Sequence, residues 1–394
     1  MPSTYISNVT LFDGRTVRSK QGVLIDGERI AWVGAHARAP GRARGTTVVE
    51  GAGKTLSPGL IDCHVHLAWE GLADFAGEVA RMTPALAAVT ATVNARKHLS
   101  AGVTTVRDLG GPDGACIDVG RAIGEGVIAG PRVLAAGRAL TVTGGHGHNV
   151  AFAREVDGAD AMRKAVREEI RRGATAIKVV ATGGVLTPGI GATFTAYTPE
   201  ELLAAVDEAH KWGRPVAAHA IGAEGILGAV IAGVDSIEHC NHVTPQIARE
   251  MKARGTYRSP TLCAIRGIVD NPSEVPAYAV EKGRAVEAAS RESHVRAMKA
   301  GVLHVCGTDA GTPFNPHGSA PKELAYMVEW GMTPLAAMRA GTANGADLLR
   351  LEDVGRVETG KFADLVLYGE NPVEDIAVAA TPLRVWKGGT VFKG

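Results

Sequence analysis

Along residues 1–57 apolar and polar side chains alternate in short runs. TYISNVTLFDG, GVLIDGERIAWVG and TTVVEGAGKTLSPG each alternate and break at Gly or Asp-Gly, the pattern of half-buried strands joined by tight turns. GRVETGKFADLVLYGENP and PLRVWKGGTVFKG repeat that pattern near the other end. The two ends therefore predict one composite β domain, a small β-sandwich assembled from residues 1–57 and 356–394. Residues 58–355 have another rhythm: short apolar runs separated by Ala-, Glu- and Arg-rich stretches of helical period. The runs are LIDCHVHL, TTVRDLG, PRVLAAG, AIKVVATGG, PVAAHA, SIEHC, TYRSPTL and HVCGTDAG. Between them, DAMRKAVREEIRRG and TPEELLAAVDEAHKWG read as helices, the second opened by a capping box from Thr198 to Glu201 and stopped at Gly213. Eight such strands alternating with helices predict an α/β fold, a distorted (β/α)8 TIM barrel. A doubly wound sheet could hold eight strands too. However, no GxGxxG follows an early strand, and the chemistry-bearing residues fall on many strands instead of one switch point.

Composition narrows the possible functions. At 394 residues, 45% apolar and 21% charged, the chain can bury a large core. A net charge of +1 without a Lys/Arg block offers nothing for nucleic acid or an anionic membrane. No leader or membrane-length apolar run is evident, and Cys63, Cys116, Cys240, Cys263 and Cys306 are scattered and odd in number. Reduced thiols in a cytoplasmic protein are the expectation, and a thiolate zinc finger is not.

The polar residues of the apolar runs lie where a barrel places its active site, at the carboxyl ends of strands. His64 and His66 are two apart, so on a strand they share a face and can reach one metal. Lys178 stands among Ala176, Ile177, Val179 and Val180. A free ammonium is costly there, which leaves an ion pair, a route to the strand end, or capture of carbon dioxide as an anionic carbamate ligand between two cations. His219 and His239 end two further runs, and Asp309 sits in the small-residue phrase GTDAGTP. Each could be a satisfied core residue. Together they place four histidines, one lysine and one carboxylate on a single rim. Imidazole and carboxylate without thiolate suit zinc, manganese, cobalt or iron, with zinc expected.

These phrases, SPGLIDCHVHL, IKVVATGG, AAHA, SIEHC, GTDAG and the tail GRVETGKFADLVL, resemble the amidohydrolase superfamily over nearly the whole chain. TGGHGH followed by IKVVATGGV is similar to its imidazolonepropionase-related group, which includes Xaa-Pro and Xaa-Arg dipeptidases and ochratoxin-degrading amidases. The resemblance implies two divalent metal ions: His64 and His66 on one, His219 and His239 on the other, carboxylated Lys178 bridging, and Asp309 completing the first. It implies hydrolysis of an amide or peptide bond with Asp309 as proton shuttle, by a dipeptidase or N-acyl-amino-acid hydrolase. The alternative is a cyclic-amide or xenobiotic amide or carbamate hydrolase.

Further residues complete the expectation. His146, in TVTGGHGHN, is either a solvated loop histidine or the group that hydrogen-bonds the substrate carbonyl; His148 is its neighbour. Arg258 either holds a substrate carboxylate or pairs structurally, and Tyr257 points opposite to it. Trp69, and Phe194 or Tyr197 in the loop LTPGIGATFTAYTPE, either line the pocket or pack. The partner expected is a small-molecule or dipeptide-like substrate, with a homo-oligomeric state.

Overall fold

The structure is a computed structural model that describes residues 3–41 and 43–394. Met1, Pro2 and Arg42, all within the expected 1–57 segment, lie outside the described residues.

The N-terminal segment forms β1 (Thr4–Phe12), β2 (Val17–Asp26), β3 (Arg29–Ala35), β4 (Thr47–Glu50) and β5 (Thr55–Pro58). β2 turns into β3 at Gly27-Glu28, where Gly27 takes a φ of +56°, close to the Asp-Gly break of the sequence. The middle segment supplies β6 (Leu60–Val65), β7 (Val103–Asp108), β8 (Arg132–Ala135), β9 (Ala139–Thr141), β10 (Ala153–Glu155), β11 (Ile177–Val180), β12 (Val216–Ala220), β13 (Ser236–His239) and β14 (Tyr257–Ser259). The last part adds β15 (Leu365–Tyr368), β16 (Pro382–Lys387) and β17 (Thr390–Lys393).

Both ends do share one sheet. Its order is β17-β16-β15-β5-β1-β2-β3, with β4 beside β1, and β15 runs antiparallel to β5. Ile6, Leu11, Val23, Ile25, Leu56, Val357, Leu365 and Trp386 form a core drawn from the two ends alone.

The middle strands are parallel, in two sheets ordered β6-β7-β8 and β10-β9-β11-β12-β13-β14. Every residue of β6, β7, β11 and β12 is buried, as expected of strands covered on both faces. Helices Ala159–Arg172, Pro199–Lys211, Ala223–Ala232 and Pro245–Arg254 cover the second sheet and share a core with it that includes Met162, Val166, Ile177, Val179, Leu202, Val216, Ile226, Ile237 and Met251. Each such aliphatic side chain contributes about 1.5–3 kcal/mol on burial. The Pro199–Lys211 helix carries the Thr198–Glu201 capping box and stops at Gly213, φ +67°, with Gly213 N–H bonded to His210 O and Arg214 N–H to Ala209 O.

Seven of the eight expected runs are strands, and the eighth departs. Residues 304–311 form no ladder; His304 bridges Arg258 on one side and Ala310 bridges Val65 on the other. Gly307 lies against Ser259 and His64, and Asp309 adopts φ +59°, so the pleat is broken there. The short strands β9 and β10, which bracket the TVTGGHGHN loop, were not anticipated. No helix among the described residues is long and apolar enough to cross a membrane.

Candidate metal centre

β6 and the residue after it deliver His64 and His66; the 304–311 segment delivers Asp309 between them. Asp309 Oδ1 is 3.3 Å from His64 Nε2 and 3.2 Å from His66 Nε2. The outer ring nitrogens are already engaged: His64 Nδ1 meets Glu238 Oε2 at 3.0 Å, and His66 Nδ1 donates to Gly110 O at 2.9 Å. Those bonds place the Nδ1 protons outward and leave both Nε2 lone pairs facing a carboxylate oxygen. Three electron-pair donors converging within 4.8 Å repel one another unless a cation lies between them, so these residues fit a metal ion.

The frame around this triad is charged and buried. Arg107 donates from Nε to Cys63 O at 2.7 Å, and from Nη2 to Ser236 Oγ at 3.0 Å and Glu238 Oε1 at 2.9 Å. Glu238 therefore joins Arg107 to His64. Asp62 accepts from His64 N–H at 3.2 Å, Thr308 N–H at 3.0 Å and Thr308 Oγ at 2.7 Å, binding β6 to the segment that ends in Asp309. Burial raises the Asp62 pKa to about 7 against those three bonds. Burial would raise Asp309 as well, but His64, His66 and Lys178 hold its carboxyl below the usual range. Asp309 and His239 both sit at positive φ, +59° and +66°, costing about 1–3 kcal/mol each. The Asp309 N–H bond to His64 O, 2.7 Å, helps hold that backbone.

His219 and His239 continue the site from β12 and β13. Ring centroids are 5.4 Å apart for His64–His239 and 4.5 Å for His219–His239. His239 Nδ1 meets Thr261 Oγ1 at 2.7 Å, and His219 Nε2 donates to Gly183 O at 2.8 Å. Burial depresses the pKa of His64, His219 and His239 well below the imidazole range, which keeps the rings neutral. Lys178 is 3% exposed, and its amine has no hydrogen bond or ion pair with a described residue. Burial lowers its pKa to about 8, with Glu238 and Asp309 opposing.

All six residues border one cavity of about 230 Å³. Trp69, Phe75, Val150, Phe152, Ile221 and Ile265 make its walls largely apolar. Trp69 packs on His66 at 5.0 Å and on Phe152 at 5.6 Å between ring centroids. His146 also faces the cavity, 4.7 Å from His219 between ring centroids, with Nδ1 2.7 Å from Thr187 Oγ1. Burial lowers its pKa to about 4. The loop after β11 contributes Val185, Leu186, Thr187 and Pro188.

The structure places the remaining candidate contacts away from the cavity, taking the packing alternative for Arg258, Phe194 and Tyr197 and correcting Tyr257 and His148 as substrate contacts. Arg258 is fully buried away from the cavity, bonded through Nη1 to His294 Nδ1 at 2.7 Å. Tyr257, on the opposite side of β14, packs beside Val305, Leu348 and Leu351. His148 is exposed and tied by Nδ1 to Gly145 O. Phe194 is 50% exposed, while Tyr197 is buried and donates to Val156 O; neither borders the cavity. The sequence reading missed Asn241, which borders the cavity, is 1% exposed, and has neither amide atom bonded to a described residue. Its place two residues after His239 was the available signal.

Comparison with known proteins agrees with this geometry. The chain is 35% identical over 421 residues to ochratoxinase from Aspergillus niger, covering 97% of this chain and 84% of that one. It is 25% identical to imidazolonepropionase from Cereibacter sphaeroides (strain KD131), covering 95% of each. A crystal structure of a Xaa-Pro dipeptidase with bound methionine in the active site superposes with a TM-score of 0.93 at 33% identity, over 100% of both chains. A sequence profile of the amidohydrolase family matches residues 55–392, so the triad, the lysine and both further histidines all fall within the matched region, and the chain belongs to the amidohydrolase family.

Proposed function

We propose that this enzyme is a binuclear metal-dependent hydrolase of amide or peptide bonds. His64, His66 and Asp309 hold one ion and His219 and His239 the second, with zinc the expected metal. The carrying observation is Lys178: a buried amine with no hydrogen bond or ion pair to a described residue, bordering the same cavity as the four histidines. An amine titrating near 8 has a neutral fraction at neutral pH. That fraction adds carbon dioxide, releasing a proton and leaving an anionic carbamate able to bridge both sites.

When bound, the two ions supply Lewis acidity toward a water and the scissile carbonyl. The chain's own groups supply the rest. Asp309 spends Oδ1 on the imidazoles and keeps Oδ2 to receive the water's proton and deliver it to the leaving nitrogen. Neutral His146 hydrogen-bonds the substrate carbonyl as charge develops there. Trp69 and Phe152 exclude water, and Asn241 offers one donor pair and one acceptor to the substrate.

The overall likeness to a Xaa-Pro dipeptidase supports a dipeptidase or N-acyl-amino-acid hydrolase, with a small-molecule or dipeptide-like substrate. One observation favours the second reading, a cyclic-amide or xenobiotic amide or carbamate hydrolase: among the described residues no guanidinium borders the cavity, and its walls are mostly apolar. We also read residues 58–355 as the distorted barrel and 1–57 with 356–394 as a small sandwich domain. The bridges from 304–310 to β14 and β6, and the separate core of the two ends, support that division.

The test pairs metal analysis with a substrate panel. Protein prepared without chelator should hold about two metal equivalents, and Lys178→Ala about one. Two equivalents retained in Lys178→Ala overturn the bridge. Free dipeptides, N-acyl amino acids and their carboxamides then separate the two substrate classes: a strict need for a free carboxylate selects the first.

A further inference from the structure

His146 is held by a loop, and the loop is held from outside the site. Helix Ala277–Ala300 passes over residues 183–190. From it Lys282 Nζ donates to three carbonyls: Ile190 O at 2.6 Å, Thr187 O at 2.8 Å and Gly184 O at 3.3 Å. Tyr278, one turn earlier, donates its hydroxyl to Leu186 O at 3.0 Å. An ammonium has three protons and accepts nothing, so these three carbonyls saturate it. A planar guanidinium does not match carbonyls that converge from three directions.

The same segment touches His146 on its other side. Thr187 Oγ1 accepts from Gly147 N–H at 3.1 Å and lies 2.7 Å from His146 Nδ1. Among the described residues His146 Nδ1 is the one acceptor within reach of this buried hydroxyl's proton, so Thr187 donates to Nδ1 and the imidazole proton sits on Nε2. Gly184 packs so closely on the His146 ring that a Cβ there would clash. The carbonyls of Gly184 and Thr187, the two residues that meet His146, are thus two of the three that Lys282 grips.

We propose that Lys282 is a positioning residue for His146: it fixes the 183–190 backbone that presents the Thr187 hydroxyl to Nδ1 and so keeps the Nε2 proton aimed at the substrate. This rests on the reading of His146 as a substrate hydrogen-bond donor. Lys282 is partly exposed and outside the cavity, so its effect on the reaction travels through the loop.

The experiment is a double-mutant cycle on metal-loaded enzyme with an amide substrate. Lys282→Met should lower kcat roughly ten- to a hundredfold, since small misplacements of a working group have effects of that size. In a His146→Ala background the same change should alter kcat by no more than about twofold, the limit for sites that act as one. Thr187→Val, which removes the hydroxyl and leaves the ammonium bonds, should show the same dependence on His146. Equal losses from Lys282→Met with and without His146 overturn the inference, as does a Thr187→Val variant with wild-type kcat. Wild-type kinetics in His146→Ala bring down the role of His146 and this inference with it. Impaired His146→Ala with additive Lys282→Met brings down the inference alone. Melting temperatures within a few degrees of wild type confirm that the variants are folded.

Discussion

The two halves of the proposed metal centre are built differently. Around His64, His66 and Asp309 the supports are buried and partly charged: Glu238 and Arg107 behind His64, Gly110 behind His66, and Asp62 joining β6 to the segment that carries Asp309. Around His219 and His239 the supports are neutral, a loop carbonyl from Gly183 and the Thr261 hydroxyl. The first half brings three ligand atoms within 4.8 Å of one another by itself. The second has two imidazoles, and in the proposed function it takes a third ligand from Lys178, which would serve only after chemical modification. One half is set by folding, and on the proposed function the other would be completed by carbon dioxide.

The largest effect expected from breaking this contrast comes from Asp309, the carboxylate that faces both imidazoles in the preformed half. Asp309→Asn keeps the hydrogen-bonding shape but removes the base, so kcat should fall about 10²–10⁴-fold with an unchanged circular dichroism spectrum. More than half of wild-type kcat would show that the proton goes elsewhere.

Next comes a paired comparison of supports. Glu238→Gln replaces the acidic partner of His64 and should weaken metal binding about 10–100-fold, measured by chelator competition. Thr261→Val removes the neutral partner of His239, and a loss of no more than about tenfold is expected. If both variants weaken binding equally, the distinction between the halves disappears.

The smallest effect concerns acidity and sharpens the picture of the first half. The Asp62 pKa is raised in the folded protein to about 7 from its ordinary 3.8, chiefly by burial. Protonated Asp62 therefore favours folding; its contribution is complete below about 3.8 and disappears as pH rises through 7. For chelated enzyme the melting temperature should fall by about a few degrees across that window. Asp62→Asn should flatten that part of the profile, and a variant with the wild-type slope would assign the dependence to another group.

Much of this was legible in the sequence. His64, His66, Lys178, His219 and His239 stand in or at the ends of apolar runs, where a polar side chain needs a reason, and period two places the first pair on one face. The composite terminal sheet was legible from alternation at both ends. Arg107 and Glu238 carried the same signal, a charge in an apolar strand, yet their pairing depends on strands distant in sequence meeting in space. Backbone geometry left only a faint trace: Asp and His are enriched among non-glycine residues at positive φ, yet most of them adopt ordinary angles, so His239 and Asp309 did not stand out. Arg258 shows the opposite limit. Strand alternation separates it from Tyr257 but cannot say which of two buried faces holds the cavity, and here His294 takes the guanidinium. The eighth run looked like a strand because its composition is that of one; close packing of Gly307 against His64 and Ser259 prevents the ladder.

The sheet shared by the two ends has a consequence for synthesis. β5 (Thr55–Pro58) is made long before β15 (Leu365–Tyr368), its antiparallel neighbour. A ribosome adding about 5–20 residues per second leaves the β5 edge uncovered for tens of seconds while the intervening residues emerge. During that interval the nascent chain presents an open β edge, the feature through which polypeptides recruit one another. Yield in a cell should therefore depend on elongation speed and on chaperones that shield the first strands, even where the finished enzyme is stable.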